Sequence, residues 1–283
     1  MPELPEVETV RKGLESRLKD FLIVELEVLS ERSIASFGGS TKFLQNMKGV
    51  IIGEWTRRGK YLIAALKKGK RKEFAGWLVV HLRMTGHFQW FQKKTTSCAH
   101  TRVRFWNDKG QEIRFVDTRN FGQMWWISSK YHPEDKINGL KTLGPEPFSK
   151  EFNPSYLSLS LQNRKRSIKA SLLDQSIVAG TGNIYADESL FEAGIIPTKE
   201  SRTLNNIEVK KLCESLIKVL KKSIGKGGTT FSDFRDIEGI TGKYGGEAWV
   251  YKRFNKPCRK CGERIQKEKI AGRGTHWCPK CQK

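Results

Sequence analysis

The first residues of the chain place a candidate nucleophile beside candidate proton donors. Pro2 directly follows the initiator methionine, and Glu3, Glu6 and Glu8 follow closely. Proline is small enough for the methionine to be removed, which leaves a free secondary amine at the N-terminus. Amines form Schiff bases with carbon electrophiles, and neighbouring carboxylates move the protons that this chemistry requires. The opening segment is therefore compatible with covalent catalysis by an N-terminal amine.

The same residues also predict an ordinary helix. Leu4, Val7, Leu14 and Leu18 recur at helical spacing, and Pro5 is suited to a first helical turn. Glutamates at the start of a helix complement the positive end of its dipole. On local features alone, an acidic amphipathic helix without a catalytic role is the favoured interpretation, and the rest of the chain must decide between the two.

The C-terminus carries a second group of residues with a defined chemistry. Four cysteines are arranged as two Cys-x2-Cys pairs separated by 16 residues: Cys258, Cys261, Cys278 and Cys281. Four thiolates can enclose one tetrahedral zinc ion with no open position. Cys98 and Cys213 stand alone, so the pattern predicts one structural zinc rather than a disulfide framework.

The charge of the chain predicts a polyanionic partner. There are 52 Lys and Arg against 30 Asp and Glu, for a net charge of +22. Residues 250–283 alone hold eleven Lys or Arg and two Glu, so the zinc-binding segment is expected on nucleic acid. Charge by itself leaves DNA, RNA and an anionic membrane surface open. The sequence contains neither a long apolar run nor a secretion signal, so we expect a cytoplasmic, soluble monomer without a membrane partner.

Secondary-structure patterns divide the chain into two parts. Between residues 21 and 128 most runs alternate apolar and polar residues and are separated by turn residues, which predicts a two-sheet β-sandwich with strands at 21–29, 50–55, 61–66, 77–82, 101–106 and 123–127. Residues 132–150 contain three prolines and predict a linker. Helical periodicity follows at 155–161, 166–174, 183–193 and 206–224. The Gly- and Thr-rich segment 225–247 is typical of a loop that closes over a ligand.

The segment MPELPEVETVRKGL at residues 1–14 resembles the N-terminus of the formamidopyrimidine-DNA glycosylase family. Segments that resemble other motifs of this family are found along the whole chain. The resemblance implies a bifunctional base-excision enzyme in which Pro2 attacks the sugar of a damaged nucleotide and Glu3 serves as the acid. It implies an α+β multidomain fold with an N-terminal catalytic helix and β-sandwich (1–131), a linker (132–150), a helix-two-turn-helix domain with a lesion-capping loop (151–247) and a zinc finger (248–283).

Two further segments, residues 81–86 and 117–122, each predict a strand end that runs into a glycine turn. A glycosylase must push one nucleotide out of the duplex and fill the resulting gap, for which apolar, aromatic and arginine side chains are suited. By resemblance to the family, Met84, Arg119 and Phe121 fill that gap, and His81 contacts a phosphate. The chain departs from many members at Asn120, where they carry a second basic residue.

The remaining site residues are also carried over from the resemblance. Lys60 corresponds to the family lysine that reaches the lesion, and Lys169 to a phosphate contact. Asn183 and Tyr185 follow a Gly-x-Gly turn that belongs to the DNA-gripping module, and Arg273 corresponds to the arginine beside the flipped nucleotide. Taken one by one, these residues are also explained as ordinary turns or solvated surface charges, and a lone Gly-x-Gly does not outweigh the interpretation as a tight turn between helices. The loop at 238–244 lacks the Asp-Gly and Pro-Gly steps of many members, which affects the expected lesion preference.

The resemblance therefore implies a DNA glycosylase with associated lyase activity that acts on oxidised purines, such as 8-oxoguanine and formamidopyrimidines, in double-stranded DNA. Two alternatives stay open. An enzyme of the endonuclease VIII type would prefer oxidised pyrimidines, although the separate motifs at Met84 and at Arg119 and Phe121 argue against it. A zinc-finger nucleic-acid binder without enzymatic activity would explain the charge and the cysteines but leave Pro2 and Glu3 without a role.

Overall fold

The structure is a computed structural model, and it describes residues 1–230 and 237–283. The chain forms two compact units. The N-terminal unit comprises residues 1–141 and 227–242, and the C-terminal unit comprises residues 142–226 and 243–283. No helix among the described residues is both long and apolar enough to cross a bilayer.

The N-terminal unit is a β-sandwich with a helix at its start, as predicted. Its elements are α1 (Leu4–Leu18), β1 (Phe21–Leu22), β2 (Glu25–Val28), α2 (Gly39–Met47), β3 (Val50–Arg58), β4 (Tyr61–Lys68), β5 (Glu73–His81), β6 (His87–Phe91), β7 (Thr101–Trp106), β8 (Glu112–Val116), β9 (Gln123–Ser128), α3 (Pro133–Lys136) and α4 (Asn138–Lys141). One antiparallel sheet has the strand order β1-β3-β4-β5-β9, and the other has the order β2-β7-β8-β6. The two short helices α3 and α4 occupy part of the segment predicted as a linker.

Side chains from both sheets and from α1 share one core. Leu62 and Leu78 of the first sheet and Phe105 and Phe115 of the second are almost fully buried in the same cluster. Val10 of α1 belongs to this cluster as well. Since burial of one such side chain contributes about 1.5–3 kcal/mol, the sandwich core holds α1 firmly against β3 and β4.

The run predicted as a single strand at 21–29 is two strands in different sheets. The change occurs between Ile23 and Val24, because the Ile23 N–H donates to Val50 O of β3 and the Val24 N–H donates to Trp106 O of β7. The apolar pattern of residues 21–29 does not encode which of the two sheets each half joins.

The C-terminal unit contains four helices and a hairpin: α5 (Pro154–Leu161), α6 (Ile168–Leu172), α7 (Asn183–Ala193), α8 (Asn206–Gly225), β10 (Gln266–Ile270) and β11 (Arg273–Trp277). Leu190, Leu212 and Leu216 lie fully buried in its helical core. A smaller cluster around Val250, Cys258 and Cys278 packs at the zinc-binding segment. The predicted combination of a β-sandwich, a helical domain and a zinc finger is confirmed.

Candidate active site and DNA-binding surfaces

The N-terminus of α1 holds Pro2 and Glu3 in a fixed, buried position. Pro2 is buried, and Glu3 is 3% exposed. Glu6, which is 1% exposed, accepts the Glu3 N–H at 2.8 Å through Oε2 and the Thr229 N–H at 2.7 Å through Oε1. Glu3 and Glu6 thereby form the capping box of α1. The candidate amine and acid therefore lie side by side on a rigid helix end.

The three N-terminal glutamates have different environments, and this separates their roles. The Glu8 carboxylate is paired with Arg11 at 3.0 Å and with Arg57 at 3.1 Å. Glu6 bonds two backbone amides, so its carboxylate is a clamp between α1 and the segment after α8. Gly228 has a φ of +78°, and a Cβ there would lie 3.0 Å from Glu6 Oε1, so glycine allows this close approach. Glu3 is the carboxylate adjacent to Pro2.

Lys60 lies in the turn between β3 and β4 and is 7% exposed. Its neighbour Tyr61 pairs across the strands with His81, and the two rings make an edge contact with centroids 4.6 Å apart. Lys60 and His81 are therefore close together on the N-terminal unit.

The His81 ring is neutral rather than cationic, and its Nδ1 accepts a hydrogen bond. Burial lowers the pKa of His81 to about 3, with further lowering by the charges of Arg83 and Lys60. Its Nδ1 accepts the Arg83 N–H at 3.0 Å, so in the neutral ring Nε2 carries the proton. A phosphate contact by His81 would thus be a neutral N–H donation, without a change of charge near pH 7.

The predicted gap-filling residues come together on one surface. Met84 and Phe121 are 37% and 39% exposed. They line a cavity of about 370 Å³ together with Met1, Arg32, Arg83 and Gln123. The guanidinium of Arg119 lies 5.1 Å from the centre of the Phe121 ring. Since Pro2 follows Met1 directly, this surface adjoins the candidate nucleophile.

Asp117, which the sequence analysis did not single out, connects the two motifs. It is fully buried and accepts the Phe121 N–H at 2.8 Å, the Gly122 N–H at 2.6 Å and the hydroxyl of Thr85. The loop that carries Arg119 and Phe121 is thus tied to the loop that carries Met84. A buried carboxylate fixes the geometry of both.

In the C-terminal unit, Asn183 and Lys169 hold the turn that carries Arg273. Asn183, the first residue of α7, donates from Nδ2 to Gly274 O at 2.9 Å. Lys169 Nζ donates to Thr275 Oγ1 at 2.8 Å and to Gly274 O at 3.3 Å, and pairs with Asp187 at 2.6 Å. Arg273 itself is exposed at the start of β11. These bonds give the arginine a defined backbone position.

The side chains of Lys169 and Tyr185 are buried inside the C-terminal unit. Both are 0% exposed, and the Tyr185 hydroxyl bonds Ser223 Oγ at 2.6 Å. Of the predicted DNA-binding residues in this unit, Arg273 is exposed and Asn183 is half-buried. Direct DNA contacts by Lys169 and Tyr185 stay a prediction.

Two further residues of this unit escaped the sequence analysis. The carboxylate of Glu188 is fully buried and accepts the backbone N–H groups of Trp249, Val250 and Tyr251, each at 2.9 Å. Burial raises the pKa of Glu188 despite these bonds. Tyr251, which this clamp positions, stacks edge-on against His276 and lies within 3.5 Å of Asn183 Nδ2. The sequence signal for a buried polar clamp was the pair of adjacent acidic residues Asp187 and Glu188 in an otherwise buried helix.

The four C-terminal cysteines fit one zinc ion. Their sulfur atoms all lie within 4.8 Å of one another, with Cys258 and Cys281 at 4.0 Å and Cys261 and Cys278 at 3.4 Å. Four Zn–S bonds of about 2.3 Å in a tetrahedron require sulfur separations of about 3.8 Å. The predicted structural zinc site is confirmed.

The predicted lesion-capping loop at 225–247 is described only in part, since residues 231–236 lie outside the described residues. Its described residues within 227–242 belong to the N-terminal unit. There the Trp90 N–H donates to Ile237 O at 3.2 Å, and Arg17 pairs with Glu238.

Family models match three parts of the chain. Residues 1–124 match the formamidopyrimidine-DNA glycosylase N-terminal domain, and residues 143–235 match the formamidopyrimidine-DNA glycosylase H2TH domain. Residues 255–283 match the zinc finger found in FPG and IleRS.

Known proteins are similar over the full length. A formamidopyrimidine-DNA glycosylase of Prochlorococcus marinus is 71% identical over all of both chains. A crystal structure of the complex between Lactococcus lactis FPG (MutM) and a Fapy-dG-containing DNA is 36% identical, covers 99% of this chain and 100% of its own, and has a TM-score of 0.88. A structure of MutM in complex with DNA containing carbocyclic 8-oxo-G is 37% identical, covers all of both chains and has a TM-score of 0.89.

Proposed function

This chain belongs to the formamidopyrimidine-DNA glycosylase family, and from that membership we propose that it removes oxidised purines and then cleaves the DNA strand by β,δ-elimination. The expected substrates are 8-oxoguanine and formamidopyrimidines in double-stranded DNA. The observation that carries the proposal is the buried pair of Pro2 and Glu3 at the clamped start of α1.

Pro2 acts as the nucleophile in this proposal. After removal of Met1, its nitrogen attacks C1′ of the damaged nucleotide, and the bond from C1′ to the base breaks as the base leaves with a proton. Glu3 donates a proton to the ring oxygen O4′, the C1′–O4′ bond breaks, and an iminium forms between C1′ and the proline nitrogen. The capping box supports this role because it holds the carboxylic acid next to the amine.

Strand cleavage follows from the iminium. This group withdraws electrons and acidifies the neighbouring C2′–H, so that a base can remove the proton while the 3′ phosphate leaves. A second elimination releases the 5′ phosphate, and water then hydrolyses the iminium to restore Pro2. The net reaction cleaves the strand on both sides of the damaged sugar.

The other site residues bind and orient the DNA in this proposal. Lys60 contacts the lesion nucleotide, His81 donates a neutral hydrogen bond to a phosphate, and Arg273 contacts the phosphate beside the flipped nucleotide. Support comes from the burial of Lys60, the tautomer of His81 and the clamped turn of Arg273. Asn183 and Lys169 contribute by fixing that turn.

Cleavage of a panel of labelled duplexes tests the proposed substrates. We expect rapid cleavage of strands that contain 8-oxoguanine or a formamidopyrimidine, slower cleavage of an oxidised pyrimidine and no cleavage of undamaged DNA. The products should carry phosphates at both new ends, as β,δ-elimination requires. A clear preference for oxidised pyrimidines would instead assign the chain an activity of the endonuclease VIII type.

A further inference from the structure

Asn120 links the loop that carries Phe121 to a separate turn of the N-terminal unit. Its Oδ1 accepts hydrogen bonds from Ser30 Oγ at 3.0 Å and from Ser33 Oγ at 3.1 Å. Arg32 lies in a single helical turn at residues 31–33, which Ser30 precedes and Ser33 ends. One side-chain oxygen therefore fixes both ends of the turn on which Arg32 stands.

Arg32 and Arg119 both contact the same aromatic ring. The guanidinium of Arg32 lies 5.3 Å from the centre of the Phe121 ring, and that of Arg119 lies 5.1 Å from it. Such cation–π contacts are weak at an exposed site, so the entropy cost of ordering the partners decides whether they form. Asp117 holds the backbone of Phe121, and Asn120 holds the turn of Arg32.

A neutral acceptor fits this position better than a basic residue. Asn120 has a φ of +54°, in the left-handed region that asparagine adopts more readily than most residues. A lysine or arginine side chain cannot accept hydrogen bonds from the two serine hydroxyls. It would also add a third positive charge next to Arg32 and Arg119.

We propose that Asn120 is a positioning residue for base eversion: through Ser30 and Ser33 it fixes Arg32, so that Phe121 is held ready for insertion into the duplex. This inference rests on the proposed function, in which Phe121 fills the gap left by the flipped nucleotide. Asn120, Ser30 and Ser33 thus form a hydrogen-bonded latch. The latch orders the inserting ring before DNA arrives, which removes an ordering cost from the insertion step.

Insertion is measured directly with a duplex that carries 2-aminopurine next to 8-oxoguanine. The fluorescence rise on unstacking reports entry of Phe121 even in a protein that excises nothing. Asn120→Gly keeps the backbone conformation and removes the acceptor. Loss of two neutral hydrogen bonds predicts an insertion rate about tenfold lower. Asn107→Gly, which alters another asparagine turn of the same unit, is the matched control and should insert at the wild-type rate.

Two further variants separate the latch from general damage to the fold. Asn120→Asp keeps a side-chain oxygen acceptor and should recover most of the lost insertion rate. In the Ser30→Ala and Ser33→Ala double variant, which lacks the donors, insertion should be as slow as in Asn120→Gly, and adding Asn120→Gly should slow it no further. The effect on cleavage at a preformed abasic site should be smaller than on 8-oxoguanine excision, because no base then has to leave the stack.

Wild-type insertion by Asn120→Gly would overturn the proposal, as would an additive loss in the combined variant. An equal loss for 8-oxoguanine and for the abasic site would overturn it too, because that result indicates damage to the catalytic step. Failure of the proposed function is a different result, since the wild-type protein would then show the fluorescence change without excision or strand cleavage.

Discussion

Replacement of Glu3 by glutamine removes a proton donor while it keeps the size of the side chain and its hydrogen-bonding shape. We expect Glu3→Gln to bind lesion DNA within a few-fold of the wild-type affinity and to excise the base at least about a hundredfold more slowly, which is the usual contribution of a general acid. Single-turnover excision kinetics and a binding titration measure the two effects separately.

Glu8→Gln is the matched control for that experiment. Glu8 pairs with Arg11 and Arg57, so its loss removes partly buried ion pairs but no proton donor of the reaction. Glutamine keeps the size of the side chain and one oxygen acceptor, so excision should stay near the wild-type rate. If Glu8→Gln were as slow as Glu3→Gln, the assignment of the acid to Glu3 would be wrong.

At the scale of elements, the zinc-binding segment makes the most definite prediction. Cys261→Ser removes one of four ligands, and structural zinc in small modules contributes on the order of 10 kcal/mol of apparent binding free energy. We expect the variant to lose its zinc, the β10–β11 hairpin to unfold and lesion binding to weaken strongly. Elemental analysis and hydrogen exchange of residues 255–283 check this. Active wild-type protein without metal would contradict it.

Isolated helices and motifs could be predicted from the sequence because their signals are local. Periodicity gives α7 at its observed bounds and α8 to within one residue. The cysteine spacing gives the zinc ligands, because short turns bring each pair together. In each case the interactions that determine the helix or the zinc site lie within a short stretch of sequence.

Long-range polar bonds could not be predicted in this way. Strand β8 was not predicted, because Glu112 and Arg114 interrupt its apolar pattern, yet both are buried. Burial would raise the pKa of Glu112, but hydrogen bonds from Arg114 and Arg104 lower it to about 2. The clamps at Asp117 and Glu188 are similar, because each buried carboxylate binds a distant segment: Asp117 accepts the Thr85 hydroxyl, and Glu188 accepts the Val250 N–H.

At the scale of the whole molecule, net charge and family membership act together. A net charge of +22 favours contacts with the phosphates of DNA, and this attraction weakens as salt rises. Family models match the catalytic N-terminal domain as well as the zinc finger, which excludes the alternative of a zinc-finger binder without enzymatic activity.

Arg273 provides a test of this electrostatic account. We expect Arg273→Ala to weaken DNA binding and to lower the slope of log affinity against log salt by roughly one unit, since one phosphate contact is lost. Zinc content should not change. Arg202→Ala is a suitable control, because Arg202 pairs with Glu200 and is assigned no DNA contact. An unchanged slope for Arg273→Ala would show that this arginine does not contact the phosphate backbone.

The central claim is that the nitrogen of residue 2 becomes covalently joined to the sugar of the damaged nucleotide. Its most direct test is borohydride reduction of the protein with a duplex that contains 8-oxoguanine, followed by mass spectrometry of the cross-linked peptide. We predict a cross-link at Pro2 in protein that has lost Met1. Pro2→Gly should trap far less DNA, Lys60→Ala should trap at an intermediate level, and a tag that acylates the N-terminus should abolish trapping. A cross-link at Lys60, or full excision by the blocked protein, would show that the nucleophile lies elsewhere.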